Sequence, residues 1–519
     1  MTDAPRMHGN TIPLLRQRKG DGMSPDHNSG YPEESLDPQD WDELRSLGRQ
    51  MIDDMLSYLQ TVRERPVWSP MPEDVRAAFQ EPLPRSPAKP SDVYRDFRKN
   101  VLPYPTGNIH PRFWGWVIGT GTPFGMLAEM LAAGMNPNCG GFDQASTLVE
   151  RQVIDWAKEM LGYPSQASGL LVNGGSMANL VGLAVARHSK ADVDVRREGL
   201  QGISRRMTLY SSVETHSSVS KAAEILGLGS QSLRLVNTRE DFSVDIKALA
   251  AAIQADREEG LKPFCVVGNA GTINTGAIDD LDGLADLCQK EDLWLHVDGA
   301  FGALAALSPR LRELVKGMER ADSVAFDLHK WMYIPYDVGC TLVRSEPVHR
   351  GTFSLVPAYL ARTKRGTSAG PTPFNEYGIE LSRSFKALKV WMSLKEHGVD
   401  KYGRLIEQNV DQAQYVAERV ETSRELELIA PVPLNVVCFR FFSPELDEPA
   451  LDRLNEELLL RLQERGAAVL NSTKLHGKYC LRAAITNHRT RREDLDLLIQ
   501  EVIALGKGIL DEGFIGNPR

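Results

Sequence analysis

The sequence predicts an α/β protein in which a mainly parallel sheet carries helices on both faces and a smaller α+β domain follows. Two observations lead there. Between about residues 140 and 345, strand-like apolar runs alternate with helix-like ones: "SGLLVNGG" precedes "SMANLVGLAVARH", "RRMTLYSS" precedes "HSSVSKAAEILG", and "KPFCVVGNAGT" precedes "DLDGLADLCQKE". "LWLHVDGA", "SVAFDLHK" and "GCTLVRS" add strands, and this order is the pattern of a parallel sheet covered on both sides. After about residue 405 the order becomes helix, strand, helix, strands and a last amphipathic helix, "EDLDLLIQEVIALGKGIL".

Each element follows from local chemistry. Residues 1 to 36 are rich in Gly, Pro, Asp and Ser with no apolar period, and a disordered tail is expected there. In "LDPQDWDELRSLGRQMIDDMLSYLQTVRE", Asp37 is the expected N-cap and Pro38 the first helical residue. Trp41, Leu44, Leu47, Met51, Met55, Leu59 and Val62 recur at spacings of three and four, a stripe that must cover something. From Arg65 to Pro105 the many prolines predict an extended strap with short helices between them. A helix and a strap cannot form a core alone, so residues 37–110 are expected to lie across another domain or a second subunit. The large domain is expected at 111–405, with a long helix through "IELSRSFKALKVWMSLKEHGV", and the small one at 406–519.

Composition narrows the function. A chain of 519 residues with 42% hydrophobic and 25% charged residues is an ordinary globular protein, long enough to bury a site. A net charge of -9 without a long basic run argues against a nucleic-acid partner. Cys139, Cys265, Cys288, Cys340, Cys438 and Cys480 form no C-x-x-C pair, so neither a zinc site nor a disulfide framework is signalled, and no metal is expected. The N-terminal "MTDAPRMHGNTIPLL" has no uninterrupted apolar core and no stretch has the length to cross a bilayer; a cytoplasmic protein without a membrane partner is expected.

Chemistry-bearing residues gather where the predicted strands end. In "VNGGSMANL", Gly174 and Gly175 permit close backbone approach, Ser176 brings a hydroxyl, and the following helix aims its N–H groups at the same place, an arrangement for phosphate. Asp298 ends the strand "LWLHVD" beside Gly299 and Ala300, small enough for something flat to pack on the sheet; a carboxylate there can pair with a buried cationic nitrogen or cap a helix. His216, in "ETHSSVSKA", offers a planar ring at another strand-to-helix junction, where Ser217 and Ser218 could cap the helix. Lys330 stands at the end of the strand-like run "SVAFDLHK", where a loop begins; a partly desolvated lysine is a carbonyl-attacking amine, while an isolated one more often snorkels to solvent. A phosphate cradle, a carboxylate, a ring face and a lysine at one sheet edge together suit pyridoxal 5'-phosphate.

The order and spacing of "NGGSMANL", "ETHSSVSKA", "NAGTINTGAIDDL", "LWLHVDGAFG" and "DLHKW", joined by "HPRFWGW" and "LSRSFKALKVW", resemble the group II pyridoxal-phosphate amino acid decarboxylases, most of all the aromatic-L-amino-acid decarboxylases. The resemblance runs from about Asp37 to the C-terminus. It implies the fold type I of aspartate aminotransferase, with a mainly parallel seven-stranded sheet, and a homodimer with active sites at the subunit interface. It also implies that Lys330 joins the cofactor as an imine, Asp298 partners the pyridine nitrogen, His216 stacks on the ring, and Gly175 with Ser176 hold the phosphate. Thr272, Ala300 and His329 match positions that face the cofactor. Tyr359, in "LVPAYLARTKRGTSAG", matches a loop tyrosine that protonates the substrate carbanion, which favours decarboxylation over aldehyde formation. Two positions depart from the family pattern: Asp327 stands where aromatic decarboxylases often carry Asn, and Ile273 replaces a threonine, which puts one cofactor hydrogen bond in doubt.

The expected reaction is decarboxylation of an L-amino acid to its amine and carbon dioxide. Phe113, Trp114 and Trp116 match a segment bordering the substrate side chain and favour an aromatic substrate. An acidic substrate would need a further cation, for which Arg112 is the candidate in that segment. An acidic-amino-acid decarboxylase and a decarboxylating aldehyde synthase are the alternatives. Arg383 matches a family arginine expected to support the cofactor pocket, with a plain helix-surface position as the other reading.

Overall fold

The computed structural model describes residues 34–355 and 363–513, and the chain divides into two compact units, Met1–Met51 and Ile52–Arg519. Most of the tail expected over residues 1–36 lies outside the described residues. The helix Trp41–Gln60 starts in the first unit, later than expected: the Asp40 carboxylate, not that of Asp37, accepts the N–H groups of Asp42 and Glu43 at 2.8 and 3.0 Å. Trp41, Leu44 and Met51 of its apolar stripe are exposed. In the second unit the proline-rich strap contains the short helices Glu73–Ala78 and Pro90–Asp96, the latter with its proline at the first helical position.

The large sheet has seven strands: β1 (Ser168–Val172), β2 (Met207–Ser212), β3 (Leu233–Val236), β4 (Lys262–Asn269), β5 (Trp294–Asp298), β6 (Ser323–Asp327) and β7 (Gly339–Val343), in the order β1-β7-β6-β5-β4-β2-β3. Neighbours from β3 through β6 run parallel, and β7 runs antiparallel to both β6 and β1. Strands β1, β2, β5, β6 and β7 are buried at every position because helices cover both faces, which is why they read as unbroken apolar runs. Since β1 points the same way as the parallel set, the carboxyl ends of β1, β2, β4, β5 and β6 share one edge. The helix Gly175–Lys190 lies across the sheet so closely at Gly182 that a Cβ there would stand 2.5 Å from the His296 ring.

Two expected helices change shape. The helix expected through "IELSRSFKALKVW" begins only at Lys386, because the Arg383 N–H is drawn to Asn138 Oδ1 and its side chain is buried. Residue 405 falls inside the helix Val399–Glu421, so the chain passes toward its second sheet without a break. That sheet, β8 (Leu426–Leu428), β9 (Val436–Phe441), β10 (Asn471–Leu475) and β11 (Lys478–Ala484), is antiparallel in the order β10-β11-β9-β8. The helices Glu448–Glu464 and Arg492–Asp511 share its core through Leu454, Leu458, Leu498 and Val502 packed with Phe439 and Leu481. Among the described residues no helix is long and apolar enough to cross a membrane.

Candidate active site

The shared strand edge collects the predicted residues. After β1 the chain turns at Gly174, whose φ of 92° suits glycine, and Gly175 and Ser176 open the helix Gly175–Lys190. A Cβ at Gly175 would stand 2.7 Å from Asp327 Oδ2, so the turn needs glycine to sit this low over β6. Ser176 is exposed, and the first N–H groups of a 16-residue helix face the same space.

Lys330 lies in the helical turn Leu328–Trp331 that follows β6, so of the run "SVAFDLHK" only the part to Asp327 is strand. Its ammonium meets Asp327 Oδ2 at 3.0 Å, and that carboxylate is 1% exposed. A lysine on a buried carboxylate is anchored at the sheet edge instead of snorkelling away. His329 is buried, with Nδ1 2.9 Å from the Val338 carbonyl and its ring 4.3 Å from that of Tyr336. Desolvation pushes the His329 pKa down, opposed by the Asp327 charge, and burial pushes the Tyr336 phenol up to about 12.

Asp298, buried at the end of β5, receives Asn179 Nδ2 on Oδ2 at 2.8 Å and the Ala300 N–H on Oδ1 at 3.1 Å. Among the described residues it has no ion-pair partner, which leaves a buried anion free to meet a cationic nitrogen. His216 is the N-cap of the helix Ser217–Ile225, its own Nδ1 taking the Ser218 N–H at 3.2 Å, so the capping role expected of the serines falls to the ring. Desolvation lowers its pKa, with Asp298 and Asp327 opposing and Lys330 adding to the effect; these four groups are electrostatic neighbours. Ala300 is half-buried and packs toward Gly175. Thr272 is buried in the loop after β4, and its hydroxyl is engaged within that loop, with Thr275 Oγ1 at 3.1 Å and the Ala277 N–H at 3.1 Å. Ile273, next to it, packs on the core.

Other predicted residues stand apart. Trp114 is fully buried in the core of the second sheet and Phe113 in a small cluster with Val67 and Val469, so of the three aromatic residues only Trp116, 49% exposed, has a free face. Arg112 is half-buried on the same segment. Arg383 is no surface arginine: it pairs with buried Glu150 at 2.6 Å and donates to the carbonyls of Leu171 and Cys139, bracing the end of β1 from behind. Tyr359 lies outside the described residues. Sequence reasoning missed Asn179 and Arg482. Asn179 carries no signal beyond a polar residue on an apolar helix face. Arg482 is a buried strand cation held by Asn274 and Trp116 carbonyls and by Asn471 Oδ1; among the described residues its Nη2 has no hydrogen-bond partner.

The residues at this edge fit pyridoxal phosphate: a glycine turn cleared of side chains at a helix N-terminus, an unpaired buried carboxylate, an anchored amine and a ring. The fold and the site together define an enzyme of the pyridoxal-phosphate-dependent class. Comparison with known proteins narrows it. The family described as "Pyridoxal-dependent decarboxylase conserved domain" matches residues 72–442. An aromatic-L-amino-acid decarboxylase of Bacillus atrophaeus is 36% identical over 90% of this chain and 96% of its own length. A tryptophan decarboxylase 2 of Oryza sativa is 29% identical over 90% of this chain and 95% of its own. Among solved structures, Oryza sativa TDC with PLP and tryptamine aligns with a TM-score of 0.85 at 26% identity, over 92% of this chain and all of that one. The Rhodiola rosea 4-hydroxyphenylacetaldehyde synthase follows at 0.81 and 26%, over 91% of this chain and all of its own. This chain belongs to the pyridoxal-dependent decarboxylases, and it is a carboxy-lyase that uses pyridoxal phosphate.

Proposed function

We propose that the protein decarboxylates an aromatic L-amino acid to the corresponding amine and carbon dioxide. The observation that carries the site assignment is the meeting of Lys330, Asp327, His216 and Asp298 at the carboxyl edge of one sheet. The likeness to an aromatic-L-amino-acid decarboxylase along 90% of the chain and the free face of Trp116 support the substrate class.

When bound, pyridoxal phosphate supplies a sink for the electron pair left as carbon dioxide departs. Lys330 would hold it through its aldehyde carbon, and the helix N-terminus at Gly175 and Ser176 would hold its phosphate. Asp298 would pair with the ring nitrogen as a buried carboxylate and favour its protonated form. His216 would offer its ring to the cofactor, and Ala300, Thr272 and His329 would border the pocket. Tyr359 delivers the proton to the substrate Cα, which directs the reaction to amine.

The same reading extends to assembly. A homodimer with the active sites at its interface would cover the apolar residues Trp41, Leu44 and Met51, and separately Met130, Leu131 and Met135, all exposed in the single chain. Six free, buried cysteines are in keeping with the reducing cytoplasm.

A second reading is decarboxylation of an acidic amino acid, favoured by the buried guanidinium of Arg482, whose Nη2 has no partner among the described residues. One experiment separates the readings. Purified, cofactor-loaded protein is given tryptophan, tyrosine, DOPA, histidine, glutamate and cysteine sulfinate, and carbon dioxide, amine, aldehyde and peroxide are measured. Amine from an aromatic substrate is expected. Turnover of glutamate or cysteine sulfinate alone would overturn the substrate class, and aldehyde with peroxide but no amine would overturn simple decarboxylation.

A further inference from the structure

The network behind Asp298 and His216 has only one consistent direction. Asn179, 1% exposed on the helix Gly175–Lys190, has its amide nitrogen 2.8 Å from Asp298 Oδ2 and 2.9 Å from Ser218 Oγ, and its oxygen 2.9 Å from His296 Nε2. An ionised carboxylate cannot donate, so the amide nitrogen must face Asp298 and the oxygen must face His296. His296 therefore donates from Nε2, and its Nδ1 is bare. That bare nitrogen accepts a hydrogen bond from the Ser323 hydroxyl at 2.8 Å, and Ser323 Oγ in turn accepts one from the indole N–H of Trp294 at 2.8 Å.

The other branch is equally constrained. Both protons of the Asn179 amide are used, one on Asp298 and one on Ser218 Oγ. Ser218 gives its backbone N–H to His216 Nδ1 at 3.2 Å, which marks that nitrogen as an acceptor, and its hydroxyl, 2.8 Å away, adds a second donor. His216 is left with its proton on Nε2, which makes no hydrogen bond among the described residues.

We propose that Asn179 is a positioning residue: a single amide, held by His296, that orients the Asp298 carboxylate and, through Ser218, sets His216 as the Nε2–H tautomer, so that the ring offers the ligand a donor and not a bare nitrogen. This rests on the assignment of His216 and Asp298 to the cofactor site. Burial keeps both rings neutral, holding the His296 pKa at about 4 and lowering that of His216, so a defined tautomer exists for each to adopt. The two strands are in register here, His296 opposite Ser323 and Asp298 opposite Ala325, so the sheet presents the relay and the carboxylate from one stretch of β5.

The test reads tautomers directly. Wild-type protein labelled with 15N-histidine is recorded by long-range proton–nitrogen correlation, with and without pyridoxal phosphate, and the two rings are assigned with His216→Gln and His296→Gln. Both are expected to show protonated Nε2 and bare Nδ1. In Ser218→Ala the backbone N–H to His216 Nδ1 remains and only the hydroxyl donor is lost, so the His216 pattern should shift part of the way toward tautomer exchange while His296 keeps its pattern. In Asn179→Leu both should change, and cofactor affinity, read by absorbance titration, should weaken about tenfold, the loss of roughly one charge-assisted hydrogen bond. A proton on His216 Nδ1 in the wild type, or an unchanged His216 in Ser218→Ala, would overturn the proposal, and neither measurement needs the leucine variant to fold. Decarboxylation of the amino acid panel is a separate readout, so failure of the relay and failure of the functional reading are distinguishable.

Discussion

Lys330 illustrates how a residue acquires meaning from its neighbours. Alone after a strand, it is most simply a snorkelling side chain; beside a carboxylate that is 1% exposed it is an anchored amine. Asp327, a departure from the family pattern at the level of sequence, has its oxygens under the glycines of the turn after β1 and against Lys330, so the substitution changes the floor of the site and not its rim. Replacing Lys330 by Ala is expected to lower turnover roughly a thousandfold and to abolish the absorbance of covalently held cofactor, read in a steady-state assay and a visible spectrum. Near-wild-type turnover in that variant would refute the assignment of the lysine. The aromatic segment teaches the opposite lesson: Phe113 and Trp114, singled out by the family segment they match and their aromatic type, are core residues, and Trp114 even spends its indole N–H on Thr490 Oγ1 at 3.1 Å.

Among the elements, the helix Gly175–Lys190 does most to shape the site, because it approaches the sheet at two glycines, Gly175 over Asp327 and Gly182 over His296. Gly175→Ala would place a Cβ 2.7 Å from the Asp327 carboxylate. The turn must shift to relieve this, and cofactor affinity is expected to fall by about tenfold or more in an absorbance titration, a loss of about 1.4 kcal/mol or more. Strand β1 is braced differently. The Arg383–Glu150 pair behind it is nearly devoid of solvent, with side chains 2% and 0% exposed. Removing only the cation strands a buried carboxyl whose pKa burial raises and which Arg383 does most to hold down, with lesser help from a Leu171 backbone hydrogen bond and Lys386. Arg383→Met is therefore expected to cost about 3 to 5 kcal/mol in denaturant unfolding, and Arg383→Met with Glu150→Leu to recover most of it. Recovery in the double variant would mark the pair as a specifier of the strand's position; an unchanged single variant would show that the pair carries no net stability.

Across the whole molecule, buried histidines tie stability to pH. Burial holds the pKa of His110, His296 and His349 at about 4, below the ordinary imidazole value of 6.5. The unfolded chain then takes up protons that these folded rings refuse, so their contribution to stability is complete above pH 6.5 and is lost as pH falls from about 6.5 to 4, on the order of 3 kcal/mol for each. Buried carboxyls such as Glu150 and Asp279, whose pKa is raised by burial, act with the opposite sign, so the clean measurement is a difference. His349 lies away from the strand edge, bonded to Ser168 Oγ at 2.9 Å and the Tyr377 carbonyl at 2.8 Å. In His349→Gln the slope of unfolding free energy against pH between 6.5 and 4 should shrink by up to one proton relative to wild type; equal slopes would show that this ring titrates normally.

The sequence by itself determined the order of the elements, the parallel sheet and the class of chemistry. Those are carried by local patterns: apolar runs bounded by glycine turns, and chemistry-bearing residues placed where runs end, at His216, Asp298 and Lys330. Helix limits were legible only approximately, as at Asp40 and Lys386, because a cap depends on which side chain reaches the free N–H groups and on what competes for it. Only the tertiary structure decided that Asn179 and His296 stand behind Asp298 and His216, and that Trp114 is core. Those relations join residues as far apart in the chain as Asn179 and Asp298, and no local pattern encodes them: they arise when helix and strand pack at distances set by Gly175 and Gly182.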